Sequence, residues 1–299
     1  TANGGGTVTY GGAGISGTGD QLAPVGVASS FIGAGDNVTV TGAATIAQLT
    51  AIDAANVGGT LSYTAVGDTV LTLVDNAGGY VAAGKNVTVT DAATLAQLNA
   101  INTTNTTGTV TYTAITGSAA DFANAAGTKT ALATTYLTAL KNVTVTDDAT
   151  IAQLTTIDAA NTTGTQTYAG LTGAAATFAS ATGVKTAGAT KYMTAGKNVT
   201  VTDAATIAQL TVIDAANTTG ALEYTALTGT AANFASTMGV LTTGATIYLT
   251  AGMDVTVTDA ATIAQLTVID AAKDTGTLTY TTVTGTVVDL LANEGGYVA

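Results

Sequence analysis

Asn198-Val-Thr-Val-Thr-Asp-Ala-Ala-Thr-Ile-Ala-Gln-Leu-Thr-Val-Ile-Asp-Ala-Ala-Asn217 is the stretch that decides how this chain is read, because nearly the same string occurs five times. Its copies start at Asn37, Asn86, Asn142, Asn198 and Asp254, so the first spacing is 49 residues and the next three are 56. Self-similarity at a fixed period of this size marks an array in which each unit packs on its neighbours. The units run 37–85, 86–141, 142–197, 198–253 and 254–299, with 1–36 as the second half of a truncated repeat. Ala2 to Tyr10 matches Ala216 to Tyr224, and Gly295-Gly-Tyr-Val-Ala299 matches Gly78-Gly-Tyr-Val-Ala82. Both ends therefore read as cuts inside the pattern, and Thr1-Ala2-Asn3 reads as a processed chain or a window of something longer.

Within a unit, Val199-Thr-Val-Thr202 alternates as a short strand, with the Val pair on one face and the Thr pair on the other. Asp203 is placed to cap a helix over 204–216, in which Ile207, Leu210 and Ile213 share a side and Asn217 to Gly220 makes a stop. Leu222, Tyr224 and Ala226 alternate as a second strand. Leu227-Thr-Gly-Thr230 then reads as a turn into a shorter helix carrying Phe234 and ended by Gly239. Thr246-Ile-Tyr-Leu-Thr-Ala-Gly252 reads as a strand with a bend, or as a hairpin turning at Gly252. The first and last units lack about seven residues just upstream of it, as a tolerant loop would. The two halves of a unit repeat at about 26 to 30 residues, a length that suits one strand plus one helix per coil. The fold expected is α/β: an elongated repeat solenoid of short parallel strands and short helices. The alternative is a mostly-β solenoid or a chain of small β-rich repeat domains.

What is missing from the composition narrows the chemistry. The chain has no Cys, His, Trp or Arg, so the usual general bases, thiolate nucleophiles, zinc ligands and phosphate forks are absent. Disulfides are excluded, and an enzyme is not expected. Seven Lys against nineteen Asp and Glu give a net charge of -12, which argues against nucleic acid and anionic membrane surfaces as partners. No run approaches the roughly eighteen apolar residues of a spanning helix.

Several residue series invite a functional reading. Asp91, Asp147, Asp203 and Asp259 recur at one position, either as a calcium ladder or as helix caps, with capping favoured; Gly42 leaves that ladder a rung short. Asp53, Asp158, Asp214 and Asp270, interrupted by Asn102, sit late in the helix, where a carboxylate opposes the dipole; a hydrogen bond to the neighbouring unit is the expected role. Gly11-Gly-Ala-Gly-Ile-Ser16 faintly resembles a calcium-binding nonapeptide. Asn37, Asn86, Asn142 and Asn198 head Asn-Val-Thr sequons, and Asn102, Asn105, Asn161 and Asn217 head Asn-Thr-Thr sequons. Because Asp254 replaces Asn in the first series, turn geometry explains it better than glycan. Thr200 and Thr202 would stack across coils into Thr rows of the kind ice binders use, although Thr also simply suits a strand's outer face. Lys85, Lys141 and Lys197 are expected to blunt a strand edge or pair with an Asp. A hydrolytic Asp147/Asp148 pair is disfavoured because adjacent side chains point apart.

The string Val-Thr-Val-Thr-Asp-Ala-Ala-Thr-Ile-Ala-Gln-Leu, followed by Thr-Gly-Thr-Leu-Thr-Tyr-Thr and Thr-Gly-Thr-Ala-Ala-Asn-Phe-Ala, resembles tandem repeats of very large secreted bacterial surface proteins. These include adhesin-like, haemolysin-like and surface-layer polypeptides. The resemblance covers nearly the whole chain, carries over no functional residue, and implies extracellular or cell-surface scaffolding. The function expected is that of a structural repeat protein forming a filament, stalk or surface lattice, with further repeats or head-to-tail copies of itself as partners. The alternative is an adhesin or ligand-binding module for carbohydrate or ice, with cell-surface glycans as partners. No cofactor is expected beyond the calcium candidates.

Overall fold

A computed structural model describes residues 14–298. Residues 1–13 and 299 lie outside the described residues, and with them the first half of the Gly11 to Ser16 motif and the match between Ala2–Tyr10 and the later units. The chain divides into two compact units. One comprises Thr1–Phe122, Lys129–Thr144 and Ile157–Thr167; the other comprises Ala123–Thr128, Val145–Thr156 and Tyr168–Ala299.

The protein is α/β, and every strand pairing named below is parallel. In the first unit, Val38–Val40 lies between Ile15–Gly17 and Leu61–Ser62. Ala65–Asp68 lies between Ala43–Ala44 and Asn86–Val89, which in turn pairs with Val110–Thr111. Helices Ile46–Ala55, Val70–Asp75 and Leu95–Asn105 connect these strands, and Ala119–Phe122 and Ala131–Tyr136 follow the last of them. In the second unit, Asn198–Val201 lies between Gln166–Gly173 and Leu222–Glu223. Asp254–Thr262 lies between Ala226–Gly229 and Leu278–Thr284. Its connecting helices are Ala175–Phe178, Ala187–Tyr192, Ile207–Asn217, Ala231–Phe234, Thr243–Tyr248 and Ile263–Lys273, and Val287–Ala292 follows the last strand.

The alternation fixes which side of each strand is covered. Val87 and Val89 are buried while Asn86 and Thr88 face out, and Val255 and Val257 repeat the pattern. The long helices close over these valines with residues three apart, Leu98 and Ile101 in the first unit and Leu210 and Ile213 in the second, all buried. Phe178 and Phe234 are the last residues of one-turn helices and are fully buried. The helical crossovers that parallel strands require cover the valine face here, and the Asn and Thr face is left exposed. Among the described residues, no helix is long and apolar enough to cross a membrane.

Three local expectations are corrected. The long helix begins at Ile207, and its cap is Thr206, whose hydroxyl accepts from the Gln209 N–H while the Gln209 side chain accepts from the Thr206 N–H. This reciprocal capping box satisfies two of the free N–H groups of the first turn, so Asp203 is not needed there. Second, Ala226–Gly229 stays in the sheet rather than turning, and the helix carrying Phe234 is a single turn, Ala231–Phe234. Gly239 sits at φ 77° in the tight turn between Ser236 and Val240, a conformation that favours glycine, rather than at a helix end. Third, the stretch beginning at Thr246 is not extended up to Tyr248, because Thr243–Tyr248 is a helix. Thr242 caps it through the Ala245 N–H, and Ala245 and Tyr248 are buried three residues apart, so a polar start and one apolar side outweigh the β-branched residues.

Candidate functional site

Three polar side chains of the repeat, the Asp, the Gln and the Asn, bond to residues 21 to 30 positions away in the chain. Asp91 accepts from the Val70 N–H at 2.7 Å, Asp203 from Ala175 at 2.6 Å and Asp259 from Ala231 at 2.6 Å. Each carboxylate thus caps the short helix of the preceding coil, where a negative charge meets the N-terminal end of the helix dipole. Asp147 occupies the same repeat position and is exposed on the strand Asn142–Ala149. Asp68 acts in the same sense on the Ile46 N–H of the long helix. Among the described residues, no three His, Cys, Asp or Glu side chains gather as a metal site requires.

The glutamine of the capping box reaches further. Gln153, Gln209 and Gln265 donate through Nε2 to the carbonyls of Ala123, Ala179 and Ala235 at 2.7, 2.8 and 2.8 Å, thirty residues back. These side chains are buried, so each unites a helix start with the coil before it. The Thr-x-x-Gln spacing is the sequence signal for this role, and it shows the capping box but not the bridge beyond it.

The asparagines that head the Asn-Val-Thr strings do the same across the sheet edge. Asn37, Asn86 and Asn142 accept through Oδ1 from both the N–H and the hydroxyl of Thr60, Thr109 and Thr165. Asn198 accepts from Ala221 and Asp254 from Thr277. Only an acceptor is used, which is why Asp serves as well as Asn. Asn105, Asn161 and Asn217 are buried, with Nδ2 turned to backbone carbonyls at the helix stop, so these sequons are closed to glycan in the folded chain. Their Oδ1 atoms have no hydrogen-bond partner among the described residues. Lys273 stands at the same position and donates to the Gly276 carbonyl while pairing with Asp270 at 2.8 Å, so the seat calls for a donor.

Each of the five repeats also carries a tyrosine pair. Tyr63 and Tyr80, Tyr112 and Tyr136, Tyr168 and Tyr192, Tyr224 and Tyr248, and Tyr280 and Tyr297 meet edge to face, with ring centres 6.0 to 6.5 Å apart. The first hydroxyl of each pair donates to the backbone carbonyl of the second tyrosine. In three repeats the second hydroxyl reaches the late-helix aspartate, Tyr80 to Asp53 at 3.4 Å, Tyr248 to Asp214 at 3.3 Å and Tyr297 to Asp270 at 3.2 Å, whereas Tyr136 donates to Asn99 at 3.3 Å and the Tyr192 hydroxyl has no hydrogen-bond partner among the described residues. The partner expected in a neighbouring unit therefore lies within the same repeat, across its two coils. Burial first, and the aspartate charge after it, push the Tyr80, Tyr248 and Tyr297 hydroxyls above their ordinary pKa.

Lys85, Lys141 and Lys197 neither blunt an edge nor pair with Asp. Each ammonium donates to the carbonyl of Tyr63, Tyr112 or Tyr168 and lies 4.2 to 4.3 Å from that ring's centre. The outward Thr residues stack in register as expected, Thr200 against Thr172 and Thr256 between Thr228 and Thr279, but Glu223 and Gly67 interrupt the rows. Asp148 departs from the alanine found at its position in other repeats. Burial, then the charges of Asp147 and Glu223, raise its carboxyl pKa.

The Asp, Gln and Asn bonds thus recur from repeat to repeat. No family model, curated protein or solved structure matches the chain.

Proposed function

We propose that the chain is an extracellular structural repeat protein whose coils stack as a parallel solenoid, end to end, into a filament, stalk or surface lattice. The observation that carries this reading is the recurrence of the same bonds from coil to coil: the Asp cap, the Gln bridge and the Asn bridge. A sequence repeated to preserve interfaces, with its polar groups engaged in them, serves mechanical continuity. The helix Val287–Ala292 supports stacking with further coils. Val287 is 72% exposed, whereas Val70, at the same repeat position, is 4% exposed beneath the coil that follows it. A coil of the same sequence, from another copy or from further repeats, would cover it.

The Thr and Ser rows on the outer strand faces are the specific support for a second reading, an adhesin or ligand-binding array. Negative-stain electron microscopy tests the first reading. Uniform filaments in concentrated protein, lost in Val287→Lys, are the expected result. Isolated particles at every concentration would overturn self-assembly and leave further repeats as the only stacking partner. A ligand-dependent rise in melting temperature would favour the second reading.

A further inference from the structure

We propose that the cleft between Tyr224 and Met253 is a binding site for a primary ammonium group. In three repeats this seat is filled from within the chain. The lysine Nζ lies 2.7 Å from the Tyr63 carbonyl, 2.6 Å from that of Tyr112 and 2.6 Å from that of Tyr168, with the ring face beneath it. In the fourth, Tyr224 is held in the same posture: its hydroxyl donates to the Tyr248 carbonyl at 2.8 Å, and its ring meets Tyr248 edge to face at 6.3 Å. The residue at the lysine position is Met253, which brings no charge and no donor to the Tyr224 carbonyl.

Two further features suit the place to a cation. A cleft of about 440 Å³ opens here, lined by Thr200, Glu223, Tyr224, Thr225, Thr250 and Met253 among others. Glu223 stands where Ser62, Thr111, Thr167 and Thr279 stand in other repeats, so the repeat in which Met253 replaces the lysine also carries a carboxylate next to its tyrosine in the chain. An aromatic face, a backbone carbonyl, hydroxyls and a nearby carboxylate are the recognition set for an ammonium on an alkyl stem. Met253 is unbranched and flexible and can give way to that stem.

The probe is n-butylammonium, the lysine side chain as a free molecule, titrated into the full chain and followed by NMR. Saturable shifts in the millimolar range at Tyr224, Thr225 and Met253, but not at Tyr63, Tyr112 or Tyr168, are expected. Met253→Lys, which installs the residue found at three equivalent positions and so is expected to fold, should weaken binding at least tenfold. Glu223→Thr should weaken it several-fold. Equal shifts with n-butanol, or binding unchanged in Met253→Lys, would overturn the proposal, as would the absence of saturable shifts. Nα-acetyl-lysine amide and putrescine separate the sources: tighter binding of the first assigns the site to a lysine of a partner chain, and tighter binding of the second to a free polyamine.

Discussion

The Oδ1 atom of Asp259 accepts from the backbone N–H of Ala231 at 2.6 Å, twenty-eight residues earlier in the chain. The helix it caps, Ala231–Phe234, is one turn long and cannot hold itself in water, so the cap from the next repeat is part of what forms it. Asp259→Ala should lower stability by about 1 kcal/mol, and Asp259→Asn, which keeps an acceptor oxygen, by less. Urea denaturation reads the global effect, and faster exchange of the Ala231 amide reads the local one. Because the carboxylate already has this partner, calcium and EDTA should leave the melting temperature unchanged. A rise with calcium that Asp259→Ala abolishes would reinstate a metal at this position.

Gly220 follows the helix stop and passes directly over the Lys197 backbone. A methyl group there would sit on the Lys197 carbonyl oxygen, well inside van der Waals contact, and backbone cannot step aside as a side chain can. Gly108, Gly164 and Gly276 meet the same obstacle at Lys85, Lys141 and Met253. Gly220→Ala is therefore expected to cost about 1–3 kcal/mol by overpacking, whereas alanine at Gly252, near a Thr275 hydroxyl, pays only for its positive φ. Thermal unfolding followed by circular dichroism separates the two variants; equal losses would count against the close approach.

Much of this is legible in the sequence, and the part that is not has a common cause. The Val-Thr-Val-Thr alternation and the Ile207, Leu210, Ile213 spacing are local, and both elements appear where the pattern puts them, within a few residues. Asp203 reads as a cap for its own helix because sequence shows only neighbours along the chain; its partner, Ala175, lies 28 residues earlier. The same blindness hides the Gln209 bridge to Ala179 and the Lys197 ammonium over Tyr168. In the stretch from Thr242 to Tyr248, Thr246 and Ile247 suggest a strand, and a cap plus two buried positions override them.

The tyrosines set a limit at high pH. Burial raises the folded-state pKa of Tyr80, Tyr112, Tyr168, Tyr224 and Tyr248 above the ordinary value of 10.0. A group whose folded pKa is raised contributes stability that is fully present below its unfolded pKa and is lost as pH rises through the folded one. Stability should hold level from neutral pH to about pH 10 and then fall steeply as several hydroxyls ionise with unfolding. Tyrosinate absorbance and circular dichroism recorded on the same samples should change together. Ionisation that precedes unfolding would mean that the hydroxyls are not held by the fold.

Asp148 and Gly170 differ from the other repeats together. Asp148 stands where Ala92, Ala204 and Ala260 stand, and Gly170 where Ala65, Ala114 and Ala226 stand. A Cβ added at Gly170 would land on the Asp148 carboxylate, so the side chain gained at one position occupies the space given up at the other. Gly170→Ala alone should destabilise by about 1 kcal/mol or more, yet be neutral or favourable beside Asp148→Ala, a coupling of about 0.5–3 kcal/mol in a double-mutant cycle. Asp148→Ala alone should stabilise by a few tenths of a kcal/mol at pH 7, since burial and its acidic neighbours disfavour the charged form and the site is open enough for solvent screening. That gain should shrink as pH falls toward the ordinary carboxylate value of 3.8, where the protonated side chain is no longer penalised. Strictly additive effects of the two substitutions would show that the carboxylate swings clear of Gly170 in solution and that the two departures are independent.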